Sequence, residues 1–383
     1  MHLVFFLKSP SKTGASDRQL VGARDIAARL GWDIRDFSLL SADLPRLVEL
    51  WKPSGIIIEC GEWKRPIDLR QFGKTPVVFI DHDPTTLGKG CFNIVQDTVP
   101  TGKAAACELM LTDYRHFAFV PFAGKWWWNE GRERGFSEAL ALNGFSYRSF
   151  STRAADPHTR GYQRDLRRFL DALPKPCAVF AANDKVSEQV LLVAKSLGLS
   201  VPGDLAIVGA DDYTPISEHT LPKLSSIQPD HHRAGELAVL MLAAILRDGR
   251  RFRGPRIRHY SSEQVIRRES SRVYKVPPDR ETLAALDLIR KDACNGLKAE
   301  TVIRTYSCSR GPAARRFRAA TGHSIQEEIH AVQLERAKAL LADFGLQMKF
   351  ITALCGFTNQ NSLGKFFLRE TGMTMSEWRR KHV

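Results

Sequence analysis

The sequence predicts two bodies, an α/β front built on parallel sheets and an all-helical tail. Three observations carry this. Short runs of four to six apolar residues recur between helical stretches through the first 265 residues, the pattern of βαβ units. The best of these runs are apolar at every position instead of alternating, as strands buried on both faces must be. Beyond residue 280 helical periodicity takes over. A chain of 383 residues has length for two or three domains.

LVFFL at 3–7 opens the chain as a buried strand. Helix follows from about Asp17 to Leu30, with Gly31 where a C-terminal stop belongs. GIIIEC (55–60) and PVVFID (76–81) are further strands, and CFNIV is a shorter extended stretch ending at Val95. Helix is expected at 102–112, strand at 117–122 (FAFVPF) and helix at 132–143. CAVFAAND (177–184) ends an apolar run in polar residues; helix 185–197 leads into LAIVGADD (205–212), and helix 231–246 follows Pro229.

Composition narrows the function classes. Hydrophobic residues make up 43% and charged residues 26%, enough apolar material for a sizeable core. No apolar run is long enough to span a bilayer. Leu3–Leu7 is too short for a signal-peptide core and has no basic flank before it, so the cytoplasm is the expected compartment and no membrane partner is expected. The seven cysteines are scattered and none forms C-x-x-C, which argues against a disulfide framework or structural zinc. His231-His232 reads as a solvated pair at a helix start, so no metal and no cofactor are expected. Phosphate-loop, dinucleotide and zinc-protease signatures are absent, and the expected class is not an enzyme. The competing readings are a sugar-acting α/β enzyme with an appended domain, or a regulator whose effector is not a sugar. An excess of 56 Lys and Arg over 42 Asp and Glu favours a polyanionic partner. That excess is uneven. Ile245–Arg280 holds eleven basic against four acidic residues, and Glu281–Val383 holds sixteen against ten.

In parallel sheets, ligands bind beyond the carboxyl ends of the strands. Those positions are Ser9–Lys12, Glu59–Lys64, Asp81–Asp83, Asn183–Asp184 and Asp211–Asp212, with Trp63 among them, and Trp126–Trp128 follow another strand end. Carboxylates and amides chelate hydroxyl pairs, and indole faces stack on the C–H face of a sugar ring.

GRERGFSEAL (131–140), AVFAAND (178–184) and the segment from Leu205 to Leu242 resemble the effector domain of LacI/GalR-type repressors. The resemblance implies the two-lobed type I periplasmic-binding-protein-like fold. It also implies a sugar contact from Arg132 in R-x-x-G-F, the strand-end pair Asn183 and Asp184, and a sugar-binding aspartate at Asp211. Ala210 and Asp212 depart from the family's G-F-D-N. Three chain crossings are implied, near Asp97, near Gln228 and around Arg256–His259. The lobes are then about 1–97 plus 228–255, and 98–227, within an effector-binding and dimerisation domain of residues 1–265. The family's DNA reader normally precedes this domain, and the strand starting at residue 3 leaves no room for it there.

Residues 266–280, polar, basic and broken by Pro277-Pro278, read as an exposed linker. In the tail, 281–383, one pattern occurs twice: short helix, tight turn, then a helix with basic or amide residues at its start. The units are about 299–320 and 347–371, joined by a long helix from Ile325 to about Phe344. This is helix-turn-helix logic, in which residues early in the second helix reach base edges in the major groove of double-stranded DNA. The candidate readers are Ser309, Arg310, Ala314 and Arg315, and then Thr358, Asn359, Gln360, Asn361 and Lys365.

IHAVQLERAKALL (329–341), the paired units, and CGF followed by F-x-x-x-T-G are similar to the AraC/XylS DNA-binding domain, whose two reading helices enter successive major grooves. Ser307, Ala313, Leu363 and Met375 depart from its pattern. A LacI/GalR-type sensor ahead of an AraC-type reader resembles the xylose-operon regulators, a likeness that Ser16-Asp17-Arg18-Gln19 and DACNGLKAE (292–300) share. It implies a pentose effector of the xylose type with Asp17 as a further contact, a homodimer, and activation of pentose-catabolic genes, with RNA polymerase as a further partner of such an activator.

Overall fold

A computed structural model describes residues 2–9, 15–61, 63, 65–154, 156–261, 264–273, 278–341 and 347–382. Expectations for 10–12, 62, 64, 274–277 and 342–344 lie outside the described residues. The chain divides into two compact units, Met1–Glu263 and Gln264–Val383.

The first unit runs β1 (Leu3–Lys8), α1 (Ala15–Arg29), β2 (Asp33–Ser38), α2 (Leu44–Trp51), β3 (Gly55–Glu59), β4 (Val77–Ile80), β5 (Phe92–Gln96), α3 (Val99–Met110), β6 (His116–Val120) and α4 (Trp127–Leu142). It continues through β7 (Tyr147–Ser149), α5 (Arg160–Asp171), β8 (Cys177–Ala181), α6 (Asp184–Ser196), β9 (Leu205–Ala210), α7 (Thr214–Ser217), β10 (Ser225–Gln228), α8 (His231–Asp248) and β11 (Ile257–Tyr260). The strands form two parallel sheets, ordered β11-β5-β4-β3-β1-β2 and, within this unit, β10-β9-β8-β6-β7. Each sheet is the floor of one lobe.

Full burial of the strands follows from layers on both faces. In the first sheet Val4 and Phe6 pack with α1 and α8, while Phe5 and Leu7 pack with α2 and Phe72 on the other side. This is the period-2 alternation of a strand with two apolar faces. In the second sheet Val179 and Ala181 meet α5 and α6, and Phe119 and Phe180 cluster with Phe136 of α4. The strands β2, β7 and β10 were not foreseen. DIRDFS and YRS are too polar to read as buried runs, and SSIQ hides two serines that are fully buried. The third crossing also differs from expectation. β11 pairs with β5, so the first lobe extends through Tyr260, past Arg256–His259.

Two helix crossings set the geometry of everything above the sheets. Gly22 of α1 and Gly235 of α8 bring these helices into backbone contact: a Cβ at Gly235 would overlap the Gln19 carbonyl, and one at Gly22 the His232 carbonyl. In the other lobe Gly102 of α3 and Gly135 of α4 do the same against the Arg132 and Val99 carbonyls. Gly235→Ala must push α1 off α8. A loss of about 1–3 kcal/mol is expected, read by urea unfolding, with Gln19 and His231 displaced together.

The second unit opens with β12 (Gln264–Ile266) and continues through α9 (Arg280–Asp292), α10 (Ala299–Ile303), α11 (Arg310–Thr321), α12 (Ile325–Leu341), α13 (Met348–Leu354), α14 (Gln360–Thr371) and α15 (Met375–His382). Its start is not an exposed linker: Arg268, Ser270 and Ser271 are buried. Arg272 grips Glu328 of α12 with two bonds of 2.8 Å, and Arg336 of α12 donates to Gln264 at 2.9 Å. Two apolar cores follow, one around Phe317 and one around Phe367. Helix α12 contributes Ile325 and Ile329 to the first and Ala337 and Leu341 to the second, so one helix walls both.

The two halves of this unit repeat with an offset of 50 residues. Helices α11 and α14 start after Ser309 and Asn359 and stop at left-handed Gly322 and Gly372. The next helices open with reciprocal capping boxes, Ser324 with Glu327 and Thr374 with Glu377.

Candidate functional site

The carboxyl ends of β3, β4, β5, β8 and β9 and the starts of α1, α4 and α8 converge on a small polar pocket between the lobes. The first lobe supplies Gln19, Glu59, Asp81, Gln96 and His231, and the second Trp127, Trp128, Arg132, Asn183 and Asp211. Arg132 pairs with Asp211 at 2.7 Å, and both side chains are largely buried. The same guanidinium donates to the Ala182 carbonyl and lies over the Trp128 ring, 4.9 Å from its centroid. It also reaches Gln96 of the other lobe at 3.4 Å, and Arg18 of α1 donates to the Asp211 carbonyl at 2.6 Å. These two bonds cross the cleft.

Asp81 and Asp211 occupy matching places, each one residue past a central strand. Both have left-handed backbones, with φ 57° and 93°, a conformation that costs a non-glycine residue about 1–3 kcal/mol and clusters at functional sites. Their electrostatics differ. Burial opposes ionisation of Asp211, but the Arg132 guanidinium overrides it and holds the carboxyl below its usual range. Among the described residues Asp81 has no cationic partner of this kind. Burial pushes it up to about 7, against hydrogen bonds from Tyr260 and the Gln96 amide. His231, hydrogen-bonded to Tyr260 at 3.1 Å, is pushed down to about 3 by burial and then by Arg18, and so is neutral near pH 7.

Three buried polar atoms around this pocket have no hydrogen-bond partner among the described residues: Gln19 Oε1, Arg132 Nε and His231 Nε2. Each such group costs about 1–3 kcal/mol when left unsatisfied. Three at one pocket, with three carboxylates and two indoles, suit a ligand dense in hydroxyls.

Of the expected contacts, Arg132, Asn183 and Asp211 come together here. Asn183 also caps α6 through the Val186 amide. Asp17 does not join them. On α1 the residues facing the pocket are Ala15 and Gln19, one turn apart, and Asp17 points to the opposite side, where it pairs with Lys8 at 3.5 Å. Asp184 also stays out. It is buried under β9, bonded to Ser226 and the Tyr213 amide, and burial raises its pKa well above normal. It braces the strand end that presents Asp211. His231 corrects the expectation of a solvated pair: it is buried, and only His232 is partly exposed, bonded to Asp25. Gln96 and His231 carried no strand-end signal strong enough to be chosen. Glu59 is saturated by Ser9, Ser16 and Gly61 and organises the loops around it. No cluster able to hold a metal occurs among the described residues, nor any helix long and apolar enough to cross a membrane.

The raised Asp81 pKa has a signed consequence. Unfolded Asp ionises near 3.9, folded Asp81 near 7. Its contribution to stability is therefore fully present below about pH 4 and is lost as pH rises through 7. Asp81→Asn should gain stability relative to the parent chain as pH climbs from 4 to 8, by up to about 4 kcal/mol. Paired thermal melts check this. A difference independent of pH would remove the burial argument.

In the second unit all nine candidate DNA contacts are exposed: Ser309, Arg310, Ala314 and Arg315 at the start of α11, and Thr358, Asn359, Gln360, Asn361 and Lys365 at the start of α14. Asn359 caps its helix through the Ser362 amide at 2.8 Å. Arg316 is not part of this surface. It is tied to Asp279 and Glu281 and lies over Tyr306.

Residues 108–271 match the family described as a periplasmic binding protein-like domain, and residues 303–381 match a helix-turn-helix domain. The xylose operon regulatory protein of Escherichia coli strain K12 is 27% identical over 296 residues, 75% of this chain and 73% of that protein. The regulator CelR of Thermobifida fusca is 34% identical over 152 residues, 39% of this chain and 44% of its own. The solved structure of the xylose-binding transcription activator XylR aligns over 99% of this chain and 98% of that one, with TM-score 0.61 and 22% identity, a likeness of fold. The chain is a homologue of the xylose operon regulatory proteins, joining a periplasmic binding protein-like domain to an AraC-type helix-turn-helix domain.

Proposed function

We propose that this chain is a sugar-responsive, sequence-specific DNA-binding transcription regulator that activates pentose-catabolic genes from the cytoplasm as a homodimer. The observation that carries the sugar reading is the buried Arg132–Asp211 pair in an interlobe pocket with three unpartnered polar atoms, one on Arg132 itself and two, on Gln19 and His231, from the other lobe. A pentose there hydrogen-bonds Gln19, Asp81 and His231 on one lobe and Arg132, Asn183 and Asp211 on the other. Contacting both lobes, it favours the closed arrangement over any other by its differential affinity.

The reader responds through residues already joined to it. The segment after the third crossing is fastened to α12 by Arg336–Gln264 and Arg272–Glu328. Helix α12 walls both helix-turn-helix cores, so a pull on that segment acts on α11 and α14 together. Coupling between such sites is typically about 1–3 kcal/mol. Lys and Arg contacts to phosphate add affinity that falls with salt.

The carboxylates also speak against the enzyme reading. Asp211 is engaged by Arg132, while Asp212 accepts from Gln228 at 2.9 Å, so the two do not form an acid–base pair across one bond. The relatives are transcription regulators. Calorimetry of the full chain against pentoses and hexoses tests the sugar reading. Saturable binding of a pentose with unchanged sugar recovered afterwards is expected, and turnover or no binding across the panel contradicts it.

A further inference from the structure

The polar pocket is small, about 50 Å³, and opens past Gly61, Asp81 and Trp127 into a second cavity of about 570 Å³. Cavities of ~300–1,000 Å³ are the size that encloses drug-sized ligands, well beyond one five-carbon ring. The larger space is walled by aromatic rings from both lobes. Trp63 and Phe79 come from the ends of β3 and β4, and Trp126 and Trp127 from the start of α4. Polar groups are set among them, including Asp83, His82 and Lys125. Trp126 is held by a bond of 3.1 Å from its Nε1 to the Ala123 carbonyl and by packing on Phe122 and Trp128. Trp63 Nε1 is buried and has no partner among the described residues.

Indole faces mixed with hydrogen-bonding groups match a pyranose, which has an apolar face and a hydroxylated rim. A purely apolar occupant would leave the Trp63 donor without a partner. We propose that the effector is a short pentose oligosaccharide: a terminal ring held in the polar pocket, the next ring stacked in the aromatic annex beside Trp63 and Trp127. This rests on the sugar reading above and sharpens it, since the annex gives a second ring its own contacts and places selectivity for chain length outside the Arg132–Asp211 pocket.

The test is calorimetric titration of the full chain with D-xylose and with its β-1,4-linked disaccharide. The disaccharide should bind at least about tenfold tighter, the scale of one aromatic stacking contact. Trp63→Ala removes the stacking wall, and Leu87→Trp fills the annex without touching the polar pocket. Both should bring the disaccharide down to the affinity of xylose, and both should leave xylose itself within about twofold, which also reports an intact fold. Equal or weaker binding of the disaccharide by the unaltered chain overturns the proposal while xylose binding preserves the sugar reading. Undiminished disaccharide binding by Leu87→Trp overturns it too. Failure of both sugars to bind the unaltered chain overturns both.

Discussion

Asp211→Ala is expected to abolish the sugar response while leaving DNA binding without sugar intact. The carboxylate is held ionised by Arg132 in a buried pair, so removing it has two effects. The sugar loses a charged hydrogen-bond acceptor, worth about 1.5–3 kcal/mol. Arg132 is left buried with its positive charge uncompensated, a situation that typically costs about 3–5 kcal/mol. The first places the loss of sugar affinity at about 10- to 150-fold, and the second lowers the stability of the variant. The readers lie in the other unit, so a mobility shift without sugar should match the parent chain. Thermal melting of the variant separates loss of the site from loss of the fold. Full modulation by sugar in a folded Asp211→Ala chain would move the pocket elsewhere.

The second large effect belongs to Arg310 and Arg315. Both are exposed in the first turns of α11, and among the described residues Arg310 makes a distant ion pair, 3.9 Å to Glu300. A bidentate guanidinium–guanine contact discriminates by about 1–3 kcal/mol, so loss of two such contacts in the double alanine variant should cost about 30-fold or more in operator affinity. A residue that reads bases relaxes preference at one position, whereas one that meets phosphate lowers the salt slope by about 1. Arg316→Ala is the internal contrast. Its ties to Asp279 and Glu281 make it a brace between α9 and α11, and its loss should appear first in stability. Unchanged footprints for the double variant would move the reading surface away from α11.

What could be read from residues alone followed burial. Strands apolar at every position, such as GIIIE and VVFI, declared themselves because a parallel sheet covered on both faces accepts nothing else. The polar strands DIRDFS and SSIQ did not, since their burial depends on partners remote in sequence: Ser226 is buried because Asp184 accepts its hydroxyl hydrogen. The same division runs through the pocket. Strand-end logic located Asp81, Asn183 and Asp211, because chain direction dictates where strand ends gather. Asp17 came from the family resemblance and not from a strand end, and on α1 it is Gln19, two residues on, that lines the pocket. Strand-end logic took Asp184 for a contact when the neighbouring strand had already claimed it. His231 looked like any helix-start histidine until the fold buried it beside Tyr260. In the tail, the 50-residue repeat made both reading helices legible, whereas the burial of Arg268, Ser270 and Ser271 was hidden by a composition that reads as linker.

Sugar held between the lobes is expected to alter how the tail grips DNA. A mobility-shift titration on the DNA upstream of the neighbouring genes, with and without saturating D-xylose or its disaccharide, tests it most directly. A shift in apparent DNA affinity of about 5- to 150-fold is expected, lost in Asp211→Ala. Superimposable binding curves, under conditions where calorimetry shows the sugar bound, would contradict it.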